Sequence, residues 1–300
     1  MTAGSATVRE PRFTWPRIRQ RLTPYALGLP GGLWLAIFFV VPIVTVLSLS
    51  LQTGNPDTGY TLTWNFHEFV DVINQYHTEF IRSFEYGLIS TVITAVVAYP
   101  MAYWIAFHGG RHKSTFLFLI LLPFFVSFVI RTLSWQFILS DRGIVLGTLK
   151  NWGVVPSSLH VLSTPFAVIA GLTYNALPFM ALPLYVALEK IDRRVVRAAN
   201  DLYANPRQTF LRVILPLSSS GIFAGFLLVF VTNVGDYVNA AILGGPGTTM
   251  IGNVIESAYL ENLDYPTASA LSSILMVAML IIIWFYVRAF GTEAVEEAVA

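Results

Sequence analysis

The polar groups best suited to meeting a charged solute lie in one short run, TNVGDYVNA, where Asp236 stands among Asn233, Tyr237 and Asn239. A carboxylate flanked by amide and phenol groups can hold a cation or exchange hydrogen bonds with water. Covalent chemistry would need more, and the chain does not supply it. With no cysteine, thiol nucleophiles, thiolate metal sites and disulfides are excluded. The five histidines (His67, His77, His108, His112 and His160) show no paired metal-ligand spacing. No GxxxxGK[ST] run is present, and Gly244, Gly245 and Gly247 are followed by no lysine, so no nucleotide site is expected. No cofactor is expected in this chain.

The elements that position these groups are apolar. Of the 300 residues, 55% are hydrophobic and only 12% charged, against roughly a quarter charged in a soluble domain. Mean hydropathy is +0.64. The composition therefore implies an all-α polytopic membrane protein. A crossing helix needs about 20 apolar residues, and six stretches qualify, near 29–51, 85–107, 115–135, 165–188, 217–239 and 268–290. The third and fifth are interrupted near their ends by Arg131 and Asp236. Residues 52–84, 136–164 and 240–267 are read as outer loops.

Basic residues set the orientation. Arg9, Arg12, Arg17, Arg19 and Arg21 precede the first stretch, and Arg111 and Lys113 follow the second. Lys190, Arg193, Arg194, Arg197, Arg207 and Arg212 follow the fourth, and Arg288 ends the sixth. Only Arg82, Arg131, Arg142 and Lys150 fall elsewhere. The positive-inside rule then places both termini of a multi-pass membrane protein in the cytoplasm. The first stretch exceeds the core of a signal peptide and is read as a permanent anchor. The expected organisation is a tail over 1–25, one six-helix domain over 26–290, and a tail over 291–300.

Within that frame Asp236 has two readings. It marks a pathway, as carboxylates at membrane depth commonly do, or it is solvated at the headgroup boundary. Arg131, in SFVIRTLSW, is read as snorkelling to the outer interface, with Trp135 in the aromatic belt. Tyr174 and Asn175, ahead of Pro178 and Pro183, either line a cavity or serve ordinary helix packing. Tyr86, Tyr99, Pro100 and Tyr103 give the second stretch an aromatic face, suited to core packing or to cation–π contact.

One polar run breaks the pattern between the fourth and fifth stretches, RAANDLYANPRQTFLRVILP, from Arg197 to Pro216. Asp192 is placed to cap a first helix with apolar positions Val195, Ala199 and Leu202. Asn205 and Pro206 read as the N-cap and first position of a second helix, striped by Phe210, Val213 and Ile214. A structured polar helix pair between two spans, at about 192–214, is built to touch a partner.

This run resembles the EAA motif of the membrane subunits of ABC importers: EAA, three residues, G, nine residues, then I-x-L-P. Ala198 and Ala199 match the alanines, Val213 takes the isoleucine position, and Leu215 and Pro216 close the motif, with every spacing kept. Arg197 replaces the glutamate and Tyr203 the glycine, so the turn at Tyr203 requires a non-glycine route. LPFFVSFVIRTLSWQFIL, GDYVNAAILGGPGTTMIGNVI and DYPTASALSSILM further resemble the spermidine/putrescine importer permeases, so the likeness covers about residues 25–290.

The resemblance implies the type I importer fold, with five core helices and a peripheral first helix. It implies a second homologous permease in a heterodimer, two ATP-binding cassette subunits that carry ATP and Mg, and a periplasmic or lipid-anchored solute-binding protein. Nucleic acid is not among the expected partners. The ATPase-coupling residues it implies are Arg197, Ala198, Ala199, Asp201, Leu202, Tyr203, Val213, Leu215 and Pro216. Pathway candidates are Asp236, Tyr237, Asn233, Tyr174, Asn175 and Tyr99. The implied cargo is a polyamine, with an opine, an aminophosphonate or ferric iron as the alternative. A self-sufficient secondary carrier would need inverted repeats, and none is visible.

Overall fold

A computed structural model describes residues 28–290; the expected tails, 1–25 and 291–300, lie outside them. The described residues fall into two compact units, divided between Ser48 and Leu49. The first takes in helix α1 (Gly28–Leu49) up to its last residue; the helix is mostly apolar, with a π-turn at Ala36–Val40. None of its turns from Ala36 onward buries a residue.

The second unit opens with an antiparallel hairpin, β1 (Gln52–Asn55) and β2 (Gly59–Leu62). Helix α2 (His67–His108) follows. At about 1.5 Å per residue its 42 residues outrun a bilayer, and the excess lies before the apolar stretch. The segment 52–84, expected as a loop, is therefore a hairpin plus helical turns. A break at Tyr76 (φ −114°, ψ 17°) separates those turns from the rest of α2.

Next come α3 (Gly110–Phe125) and α4 (Phe128–Leu139), set at 90° to one another. The third stretch is thus a broken element rather than one straight span. Pro123 explains where it breaks: lacking an N–H, it tightens Leu122–Phe125 into a 3₁₀ turn, and Val126 is extended. Short α5 (Leu146–Asn151) precedes α6 (Pro165–Lys190), capped by Thr164 and started by Pro165. Then come α7 (Arg193–Asp201), α8 (Pro206–Leu217) and α9 (Ser219–Val234), with α8 and α9 bent by 63°. Helix α9 stops short of 239, and α10 (Val238–Leu243) is separate. Finally α11 (Ile251–Glu256) leads to α12 (Tyr265–Phe290).

Among the described residues, four helices are long and apolar enough to cross a membrane, or up to six if each bent pair counts as one span. Helices α2, α6 and α9 pack together at the centre. Their contact is lined by Ala98, Ala102, Ala106, Ala176 and Ala181, with Met180, Leu184 and Val229 filling between them. Small side chains let backbones approach where lipid tails compete with any apolar side chain for contact. Gly221 takes this furthest, since a Cβ there would lie 2.6 Å from the Pro183 carbonyl oxygen.

Candidate functional site

Two sites occupy the two ends of this helix group. The first is the polar helix pair. Asp192 Oδ1 accepts from the Arg194 amide at 2.8 Å, capping α7 as expected. Asn205 Oδ1 accepts from the Gln208 amide at 2.8 Å, while Gln208 Oε1 accepts from the Asn205 amide at 3.1 Å. This reciprocal box satisfies two otherwise orphaned donors at the start of α8. Between the helices Tyr203 adopts φ +60°, the left-handed conformation that glycine would adopt without strain. Its side chain is 97% exposed.

The pair is fastened to the bundle from beneath. Arg193 donates to the Ala106 carbonyl at 3.1 Å and lies over Phe107. Val196 packs on the central cluster and Ile214 is buried in it. Phe210 meets Tyr99 edge-on at 5.6 Å, and the Tyr99 hydroxyl lies 2.8 Å from Ser218 Oγ at the bend between α8 and α9. Lys113 on α3 pairs with Glu189 on α6 at 2.6 Å. The stripe expected on the first helix divides: Ala199 is half-buried, whereas Val195 and Leu202 are exposed, Leu202 at 82%. The outer face thus carries Val195, Arg197, Asp201, Leu202 and Tyr203, apolar and charged groups together. Of the motif's closing residues, Val213 and Leu215 are half-buried and Pro216 is exposed.

The second site is a buried polar column. Asp236 is half-buried, and its Oδ1 accepts from the Asn239 amide at 2.8 Å while Oδ2 accepts from Asn239 Nδ2 at 3.2 Å. The carboxylate therefore organises the first turn of α10. Asn239 Oδ1 in turn accepts from Asn175 Nδ2 at 3.0 Å, and Asn175 Nδ2 lies 3.2 Å from Thr132 Oγ1. Asn175, Asn239 and Thr132 are buried. Three elements, α4, α6 and α10, thus meet through side-chain amides. Asn175 Oδ1 is a buried acceptor with no partner among the described residues.

Directly below the column, residues 131 and 174 face a cavity of about 610 Å³ between α2, α3 and α6. Pro100, Trp104, Phe116, Pro123 and Pro178 are among its walls. Arg131 does not snorkel outward. It is 8% exposed, and its guanidinium carbon lies 4.8 Å from the Phe124 ring centre and 5.7 Å from that of Phe128. The turn of the chain at Pro123 points α4 across the bundle, which draws Arg131 inward. The Tyr174 ring lies 5.4 Å from that of Trp135, tilted by 59°.

Of the sequence-derived pathway candidates, the structure joins Asp236 and Asn175 through Asn239 and sets Tyr174 at the cavity. Asn233 is buried elsewhere, donating to Ser90 Oγ at 2.8 Å. Tyr237 is exposed, and its carbonyl accepts from Asn253. Tyr99 belongs to the helix-pair anchorage described above. Thr132 was not singled out from sequence; a lone threonine in an apolar run carries no signal until the fold sets it opposite Asn175. Among the described residues no group of three or more His, Asp or Glu could hold a metal ion.

Residues 88–290 match the family model described as "Binding-protein-dependent transport system inner membrane component". The chain is 37% identical over 257 residues to the spermidine/putrescine transport system permease protein PotB of Haemophilus influenzae, covering 85% of this chain and 90% of that protein. It is 33% identical to PotB of Escherichia coli K12, over 85% of this chain and 94% of the relative. Among solved structures, a chain of a bacterial alginate ABC transporter, crystallised with an alginate pentasaccharide-bound periplasmic protein, shares the fold. Its TM-score is 0.65 at 21% identity, covering 92% of this chain and 96% of that one.

Proposed function

We propose a function from one premise: this chain belongs to the family of binding-protein-dependent transport system inner membrane components. It is the permease subunit of an ATP-driven importer whose cargo is a polyamine of the spermidine or putrescine type. The observation that carries the reading is the helix pair α7–α8, its EAA-type spacing intact, anchored below by Arg193, Phe210 and Ile214 and exposed above. The names of the relatives at 37% and 33% identity support the cargo. In this reading the two bent pairs count as spans, giving six in a type I arrangement with both termini cytoplasmic.

The geometry suggests how the parts work. ATP-binding cassette subunits grip the outer face of α7 and α8 at Val195, Arg197, Asp201, Leu202 and Tyr203. The pair moves as a lever because both caps are closed and its underside is packed. The 63° bend at Ser218, held by Tyr99, passes that motion to α9 and α2. A companion permease completes the path, and a solute-binding protein delivers cargo to the opposite end. There Asp236 supplies negative charge, and Asn175 Oδ1 supplies an unused acceptor for an ammonium group. Alternating access follows from rocking between two packings. This chain performs no covalent step; ATP and Mg belong to the cassette subunits.

The test is ATPase stimulation in lipid nanodiscs. The complex of this chain with its companion permease, cassette subunits and binding protein should hydrolyse ATP faster when the binding protein carries spermidine or putrescine. Stimulation by an opine, an aminophosphonate or ferric iron instead would overturn the cargo and leave the architecture standing.

A further inference from the structure

We propose that Arg131 is a selectivity residue: its unpaired guanidinium bars inorganic cations from leaking through the permease at the junction of the polar column and the cavity. The proposal rests on the permease reading of a path for cations, and its test uses no cargo. Three observations carry it.

The charge is uncompensated. Arg131 takes part in no ion pair among the described residues, and its buried Nε has no hydrogen-bond partner there. Its neighbours are the faces of Phe124 and Phe128, which attract a cation but do not neutralise it. A guanidinium does not shed its proton, so the positive charge is permanent.

The position is central. Thr132, the next residue, joins Asn175 and Asn239 in the column that ends at Asp236, while Arg131 itself lines the cavity below. Tyr174 and Asn175 repeat that division one residue apart on α6, whose middle turns also supply Leu177 and Pro178 to the cavity wall. On the proposed path, an ion leaving the column for the cavity meets the guanidinium.

The surroundings amplify the charge. Apart from Arg131 and Tyr174, the residues named on the wall are apolar or aromatic, and a charge acts far more strongly on another there than in water. A fixed arginine is a known kind of electrostatic barrier to protons and cations in narrow pores.

An importer of cations needs such a barrier more than most, because a path attractive to an ammonium is attractive to potassium. Passage of the true cargo then requires the guanidinium to move. Arg131 lies one turn beyond the 90° break between α3 and α4, so a change of that angle carries it aside.

The assembled complex is reconstituted in proteoliposomes without ATP, binding protein or polyamine. Potassium and erythritol permeability are measured for the wild type, Arg131→Met and Arg131→Lys, the lysine variant at about pH 6 to keep the ammonium protonated. Loss of the charge in Arg131→Met should raise potassium leak about tenfold or more while leaving erythritol unchanged, and Arg131→Lys should stay tight. Equal rises for both solutes would reveal a packing hole and overturn the proposal. So would an Arg131→Met complex as tight to potassium as the wild type. Because no cargo is present, failure here is distinct from failure of the ATPase stimulation series.

Discussion

Tyr203 places a bulky side chain on backbone that suits glycine, and it does so on the face proposed to meet the cassette subunits. At φ +60° an L-residue sacrifices roughly 1 kcal/mol, and exposure of the ring means no packing offsets this. Tyr203→Gly is therefore expected to raise the melting temperature of the permease by a few degrees while lowering stimulated ATPase activity, because the exposed ring is lost from the coupling face. Higher stability with unchanged coupling would remove Tyr203 from that face. Asp236 is the other residue whose role the fold redefined: it caps α10 and grips Asn239 rather than lying free in water. Asp236→Asn keeps an acceptor for the Asn239 amide but loses the charge. Uptake should fall with the complex still assembled, and unchanged uptake would leave Asp236 a structural cap only.

Between residues and molecule, the helix ends and breaks do the positioning. The capping box of Asn205 and Gln208 closes the start of α8. Asn205→Ala should cost about 1 kcal/mol locally and weaken the link between cargo and ATP hydrolysis more than it weakens assembly. Basal hydrolysis measured beside stimulated hydrolysis checks this; an equal loss of both would mean general damage. At the other end, Gly171 lets α6 approach α10. A Cβ there would meet Leu243 Cδ1 and lie 2.8 Å from Asn239 Oδ1. Gly171→Ala should push α10 away from Asn175 and reduce both uptake and thermal stability, whereas a silent substitution would show that the column tolerates separation.

For the molecule as a whole, the chain reads as one part of a machine rather than a carrier in its own right. The purified chain alone should hydrolyse no ATP and should drive no uptake from an ion gradient; gradient-driven uptake would sink the importer reading. The two ends of the bundle divide the labour. One end carries the proposed lever and its basic neighbours, with Lys113–Glu189 tying α3 to α6 beside it. The other end is held by longer-range bonds, with Arg82 donating to the Thr249 carbonyl, Thr267 to Glu68, and Tyr60 to the Leu263 carbonyl.

Local signals in the sequence were enough for the apolar class, the caps at Asp192 and Asn205, and the helix pair, because hydropathy, capping side chains and proline act over a few residues. The need for an unusual turn at Tyr203 came instead from the resemblance to the EAA motif, whose glycine it replaces. The course of the third stretch was not: a proline marks a break, but the 90° angle depends on what α4 packs against. Nor could the order of residues show that Arg131 turns inward, that Thr132 faces Asn175 and Asn239, or that Tyr99 serves the lever. Those pairings join residues 43 to 119 positions apart. Only the packing of α4, α6 and α10, and of α2 on the bend before α9, sets such residues opposite one another, and therefore only the tertiary structure decides which polar groups share a site.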